Sequence, residues 1–213
     1  MDFLRDHWLD AFGWAGSALL IVSLLQTRIL RFRLLNLAAS ASLIAFNALV
    51  GVWPMVGMNI ATTCINLWMI RGLLRARHDE ASFEVLQVGS DEAYYQHFLH
   101  VHELDLERYF PAWGGTRADD LAFQVQRGDE TVGVVLLRAD DRDPAVARVV
   151  LDYVTPRYRD FSPGEFVWRR WPRLRDRGFR RVETPPGMVS PYYDRLDVGF
   201  RREGGRYVLD LEP

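Results

Sequence analysis

Two stretches of the chain hold residue types whose spacing could do chemistry. In the first, Arg159-Asp160-Phe161-Ser162-Pro163-Gly164 follows an apolar run, Val146 to Val154, and precedes a helical pattern over 163–171. A strand that runs into a loop whose backbone N–H groups open a helix makes a cradle for a pyrophosphate. The N–H groups and the helix dipole both favour anions. The same residues also read as a plain N-capped helix, with Ser162 at the N-cap and Pro163 at the first helical position. In the second stretch, Tyr192 and Tyr193 set two neutral proton donors side by side, and they read equally well as an aromatic pair packing a helix on a sheet. Glu183, at the end of a short strand over 180–183, is a carboxylate with no further signal of its own.

Other chemistry-bearing residues carry less. His97, His100 and His102 with Glu103 suggest metal, but helical spacing pairs His97 with His100 and turns His102 away, so no metal site is expected. Every basic side chain is arginine, which removes lysine nucleophiles and Schiff bases. The single Cys64 lies in an apolar run and excludes a disulfide framework or a cysteine zinc site. A formal net charge of -2 argues against a nucleic-acid partner. Between Arg169 and Arg181 seven arginines are relieved only by Asp176, a block that reads as a solvated face or an anion-binding one. Trp113-Gly114-Gly115 reads as a loop beside a binding site or a simple turn.

The elements that must position these residues divide the chain in two. At 213 residues, 49% apolar, 25% charged and mean hydropathy -0.10, the averages resemble an ordinary soluble protein. The charges are unevenly placed, however. None falls between Leu34 and Ile70, a run of 37 residues, and none between Ala11 and Thr27. Residues up to Glu80 carry a net +2 and the remainder a net -4.

Three membrane spans are expected, over 8–26, 34–52 and 54–74, each near the roughly 20 residues that cross a bilayer. Together they form a domain over 1–77, followed by a linker over 78–82. Arg28, Arg31 and Arg33 fill the first loop and Arg71, Arg75 and Arg77 follow the third span, which places these segments and the C-terminus in the cytoplasm and the N-terminus outside. Asp2, Asp6 and Asp10 precede the first apolar run, so no secretory signal peptide is expected. Asn36, Ser40 and Asn47, and Asn59, Thr62 or Thr63, and Asn66, each repeat on one helical face. These faces should look at protein, bonding between helices, or at a substrate path.

Residues 83–213 read as a mixed α/β (α+β) domain. Strands are expected over 82–88, 121–126, 131–138, 146–154 and 180–183, and a closing pair over 200–211 around Gly204-Gly205. Helices are expected from Ser90, as cap, through 101, then over 103–109, 163–171 and 191–196.

With Gly13-Trp14, Asn36-Leu37, Asn47-Ala48, Pro54 and Asn59, the first third of the chain resembles a family of small three-helix bacterial inner-membrane proteins. Those are similar in turn to the three-helix repeat of SemiSWEET-type half-transporters, which implies a homodimer.

Three stretches of the rest resemble the GNAT superfamily of acetyl-CoA-dependent N-acetyltransferases. They are 121–133, read as its central hairpin; 151–164, read as its fourth strand and pyrophosphate loop; and Tyr192 to Leu196 with Gly199-Phe200-Arg201-Arg202, read as its last helix and turn. Arg159 and Gly164 match the family's loop pattern, whereas Ser162 stands in place of its first glycine. Asp197-Val198 form an insertion that leaves Tyr193 six residues before Gly199, and Pro172 interrupts the family's long helix.

The resemblance implies a mixed central sheet flanked by helices. It also implies acetyl-CoA as co-substrate without a metal, and an amine as acceptor. The backbone around Tyr153 and Val154 would hold the pantetheine, and Arg159, Asp160, Phe161, Ser162, Pro163 and Gly164 the pyrophosphate. Tyr193, with Tyr192 as rival, would protonate the departing thiolate, and Glu183 would take the amine proton. The expectation is a membrane-anchored N-acyltransferase of the bacterial inner membrane. The alternative is a non-catalytic acyl-CoA sensor attached to a small-solute transporter.

Overall fold

In the computed structural model, described residues are 7–76, 83–161, 163–169, 172–188, 192–196 and 198–211. Ser162 and the linker expected over 78–82 lie outside them. The chain divides into two units, one of residues 1–79 with Pro156–Asp160, the other of residues 80–155 and 161–213.

The first unit is three helices, α1 (Trp8–Leu24), α2 (Ile29–Val50) and α3 (Trp53–Ala76). Glycines bring α1 close to α2: a Cβ on Gly13 would stand 2.6 Å from the Phe46 ring, and one on Gly16 3.1 Å from Leu43. Gly51, at φ +79°, ends α2 in the left-handed cap that only glycine adopts without strain. Among the described residues, α2 alone is long and apolar enough to cross a membrane by length and composition, and α1 is a shorter apolar helix. Arg31 and Arg33, expected in the first loop, lie instead in the opening turns of α2.

Polarity in this unit runs inward. Asn36, Ser40, Asn47, Asn59 and Asn66 are buried, whereas Trp14, Leu25, Leu49, Trp53, Ile65 and Trp68 are exposed. The Asn66 amide donates to Asn36 Oδ1 at 2.9 Å, Arg33 Nη1 to Asn66 Oδ1 at 3.3 Å, and the Thr63 hydroxyl to Ser40 Oγ at 3.2 Å. Asn47 and Asn59 donate to carbonyls one turn back, Leu43 and Met55. Within the segment Pro156–Asp160, the Asp160 carboxylate accepts from Arg28 Nη1 at 3.1 Å.

The second unit is a seven-stranded mixed sheet with helices against it, the architecture expected for residues 83–213. Its strands are β1 (Glu84–Val88), β2 (Leu121–Arg127), β3 (Glu130–Ala139), β4 (Val146–Val154), β5 (Arg181–Glu183), β6 (Arg201–Glu203) and β7 (Arg206–Asp210), in the order β1-β2-β3-β4-β5-β7-β6. All neighbours are antiparallel except β4 and β5. That parallel pair needs a crossover, which residues 155–180 supply. A buried run from Thr131 to Leu137 makes β3 central, covered on both faces.

On one face, α4 (Ala93–Val101) and α5 (Glu103–Tyr109) lay Tyr95, Phe98, Leu99 and Leu106 over Ala122, Leu136 and Leu151. On the other, α6 (Glu165–Trp168) stacks Phe166 on Phe83 at 4.9 Å and sets Trp168 edge-on to Phe200 at 5.4 Å. Described residues of the helix expected over 163–171 keep only the turn of α6, followed by a second turn, α7 (Pro172–Arg175), that begins at the interrupting proline. Ser90 does not cap α4. Its hydroxyl donates to the Arg117 carbonyl at 2.7 Å, and Glu92 takes the N-cap position.

Arg138 joins β3 to the loop ahead of β2. Its Nε and Nη2 donate to the two oxygens of Asp120 at 2.6 and 2.7 Å, and the Asp120 side chain is fully buried. Removing one partner leaves the other charge stranded, so Arg138→Ala should destabilise the protein by about 3–5 kcal/mol. Arg138→Met with Asp120→Asn should lose less. Chemical denaturation of the three proteins checks the order, and equal losses would contradict it.

Candidate functional site

The site is built along β4. A register shift in its pairing with β3 sets Leu136 opposite Leu151 and Leu137 opposite Val149, which leaves Val150 as the extra residue of a bulge. On its other edge β4 pairs with β5 through Val146, Ala147 and Arg148 only. Beyond those three pairs the two strands part, and β4 continues for six more residues, to Val154. A cavity of about 430 Å³ opens at the parting, with Val149 and Val150 on one wall and Glu183, Thr184 and Met188 on another.

Asp152 stands in the free half of β4, fully enclosed on the face that α6 covers. Its Oδ2 accepts from the hydroxyls of Tyr192 at 2.7 Å and Tyr193 at 2.6 Å. Tyr192 in turn accepts from the Trp168 indole at 3.1 Å. Burial pushes the Asp152 carboxyl up from its ordinary 3.8, and the hydrogen bonds from Tyr193 and Tyr192 pull the other way. Burial first, then the neighbouring Asp152, raises both phenols well above 10.0, so both stay protonated. Asp152 Oδ1 has no hydrogen-bond partner among the described residues.

Gly164 closes this cluster. Its φ is -57°, a conformation open to any residue, so its requirement is one of space. A Cβ there would overlap the Tyr192 hydroxyl and come within 2.7 Å of Asp152 Oδ1.

The residues singled out from the sequence fall in three places. Tyr192, Tyr193 and Gly164 meet around Asp152, with Phe161 and Pro163 buried in the adjoining turn. Tyr193 is 0% exposed, and the hydroxyl of either tyrosine reaches another acceptor only by leaving Asp152. Glu183 lies on the cavity wall, its Oε1 accepting from Arg181 at 3.0 Å and its Oε2 from Arg206 at 2.7 Å. Val154 ends β4 opposite Gly133, and Tyr153 points to the other face. Arg159 and Asp160 group with the helical unit.

Two features had not been singled out. Asp152 shows in the sequence only as one carboxylate in an apolar strand, and its partners lie 40 and 41 residues away. The Tyr153 hydroxyl donates to Asp105 Oδ2 at 3.0 Å and lies 3.2 Å from His102 Nδ1, so the histidine set aside as a metal ligand meets a phenol instead. Among the described residues no group of three or more His, Cys, Asp or Glu side chains could hold a metal.

No protein-family model and no curated protein matches the chain. Several solved structures are similar to it. One is an acetyltransferase from Thermus thermophilus, with 19% identity over 61% of this chain and 97% of that one, at a TM-score of 0.43. A second is an acetyltransferase from Streptococcus agalactiae, with 14% identity over 60% and 96%, at 0.34. A third is a tandem GNAT protein from the clavulanic acid biosynthesis pathway, with 16% identity over 57% and 45%, at 0.37.

The raised Asp152 carboxyl fixes the sign of a pH dependence. Between 3.8 and its own higher value the folded chain holds a proton that the unfolded chain has released, so stability falls as pH rises through that window. Asp152→Asn cannot titrate and should flatten that part of the curve. Melting temperatures of both proteins from pH 4 upward check this, and parallel curves would remove the assignment.

Proposed function

We propose that this chain is an acyl-CoA-dependent N-acyltransferase carried on a membrane by its three-helix unit. The observation that supports the transferase reading is the parting of β4 from β5 after three residue pairs, with the bulge at Val150 and a cavity at the opening. The part of β4 that β5 does not reach runs as extended backbone, a geometry that suits an extended chain of amides such as pantetheine. In this reading the backbone around Tyr153 and Val154 would hold the pantetheine, and the loop from Arg159 through Asp160, Phe161, Ser162 and Pro163 to Gly164 the pyrophosphate.

Acetyl-CoA supplies the acyl group as a thioester. The neutral amine attacks the carbonyl carbon; the C–N bond forms, the C–S bond breaks, and the thiolate takes a proton. Glu183, on the cavity wall, receives the amine proton directly or through water. The proton for sulfur is assigned to the phenol pair, which stays protonated at neutral pH. Of the two, Tyr192 is half-buried and abuts Gly164, whereas Tyr193 is enclosed, so Tyr192 stands first. Holding both reactants in line would supply most of the rate, and general acid catalysis typically about 10²- to 10⁴-fold.

Membrane attachment is supported by the inward polarity of the first unit. Exposed tryptophan, leucine and isoleucine around hydrogen-bonded amides is the arrangement that hydrocarbon solvent favours. The amide faces are engaged with one another and with their own helices, so they lend no weight to the transporter-linked sensor.

Two experiments test these readings. Isothermal titration of the full chain in nanodiscs with CoA should give saturable binding, and thiol release over an amine panel should identify an acceptor. Tyr192→Phe should then lower turnover by about 10²- to 10⁴-fold with CoA affinity nearly unchanged. An active wild type whose Tyr192→Phe/Tyr193→Phe double variant keeps full turnover would clear both phenols of the acid role, and CoA binding without turnover of any amine would favour the sensor.

For topology, arginines at the first helical connection and in the last turns of α3 support a cytoplasmic C-terminus in a bacterial cell. A C-terminal fluorescent fusion should therefore light up and a C-terminal alkaline phosphatase fusion stay silent; the reverse pattern would overturn the orientation.

A further inference from the structure

We infer that the cavity beside Val150 takes a small primary amine with an apolar, ring-bearing body, and excludes polyamines and protein tails. That this amine is the acyl acceptor rests on the transferase reading; the chemistry of what binds rests on the cavity alone.

Size comes first. At about 430 Å³ the cavity lies toward the lower end of the roughly 300–1,000 Å³ over which small-molecule sites range, enough for one ring and a short chain.

Charge narrows the class. Three arginines and three carboxylates line the walls; Arg138, Arg148, Asp140 and Glu183 are hydrogen-bonded within the protein, and Arg117 and Asp141 form a looser, exposed pair. Arg138 is held by Asp120, Arg148 by Asp140, and Arg117 lies 3.7 Å from Asp141. Glu183 gives both its oxygens to Arg181 and Arg206. Hydrogen bonds from Arg148 and backbone N–H groups hold the Asp140 carboxyl below its ordinary value, so that pair stays charged on both sides. A ligand carrying several charges would enter without a free counter-charge and would have to give up water to do so. A monoamine brings one charge where a polyamine or a lysine peptide brings several, so it pays this penalty only once.

The apolar wall supplies the rest. Tyr109, Trp113, Val150 and Met188 lie half-buried on the core under α4 and α5, and Phe110 joins them at the cavity. Aromatic faces and a thioether at this spacing suit a ring or a branched alkyl body. Val150, the unpaired residue of the bulge, belongs to both the apolar wall and the free edge of β4.

The test uses the full chain in nanodiscs, with empty nanodiscs subtracted. Phenethylamine, spermidine and a short lysine peptide are the probes. Saturation-transfer NMR without acetyl-CoA reads binding, and mass spectrometry with acetyl-CoA reads transfer. Phenethylamine should bind about tenfold more tightly than spermidine or the peptide, and Trp113→Ala or Met188→Ala should each weaken it by about threefold or more. Circular dichroism checks each variant, and the two lie on different segments, so misfolding of one leaves the other as the test. Spermidine or peptide binding as tightly as phenethylamine would overturn the inference, as would unchanged phenethylamine binding in a folded variant. Phenethylamine bound but never acetylated would sink the transferase reading and leave the cavity's preference standing. Acetylation of spermidine or the peptide in preference to phenethylamine would uphold the transferase reading and sink this inference.

Discussion

Burying the Asp152 carboxyl in the free half of β4 sets the terms for everything packed on that face of the sheet. An enclosed carboxyl is tolerable only if its charge is met by donors or its proton is kept, and the protein does some of each. Two phenols converge on one oxygen, and burial raises the group toward its neutral form. Each phenol must then stay where Asp152 needs it, which fixes the short helical turn at Tyr193–Arg195 against the strand. Tyr192 passes the constraint on to Trp168, and through Gly164 to the turn that opens α6. Leaving a buried polar group without its hydrogen bond costs about 1–3 kcal/mol, so the cluster helps to hold the crossover against the sheet.

The helical unit meets the same constraint with amides in place of a carboxyl. Its polar side chains meet one another, Asn66 on Asn36 and Thr63 on Ser40, because a buried amide left unpaired costs several kcal/mol, more than any one contact returns. Close approach of α1 and α2 follows from glycine, since the Phe46 ring occupies the space where a side chain on position 13 would lie. Both units thus gather their polar side chains inside, one around a carboxyl and the other around amides.

Much of the second unit was legible in the sequence because its signals are local. β4 over 146–154 and α5 over 103–109 follow from apolar runs bounded by turn residues, and their observed bounds agree. The parts that were not legible depend on partners far along the chain. Ser90 carries the residue type of a helix cap, but the Arg117 carbonyl claims its hydroxyl. Gly164 matches a phosphate-loop pattern, yet the contact that leaves no room for a side chain is with Tyr192, 28 positions later. Asp152 had no signature, since one carboxylate in a strand does not announce which phenols will find it. The cavity was equally silent, because it arises from where two strands stop pairing.

The packing around Gly164 also constrains the order in which this sequence can change. A side chain at 164 meets the Tyr192 hydroxyl and Asp152 Oδ1 at once, so neither a change at 192 alone nor one at 152 alone opens the position. Losing one tyrosine leaves the carboxyl with a single donor, and losing the carboxyl leaves two buried phenols without their acceptor. Positions 152, 164, 192 and 193 therefore drift together or stay fixed. A side chain at 164 arrives only with a shift or a replacement of both the Tyr192 hydroxyl and the Asp152 carboxyl.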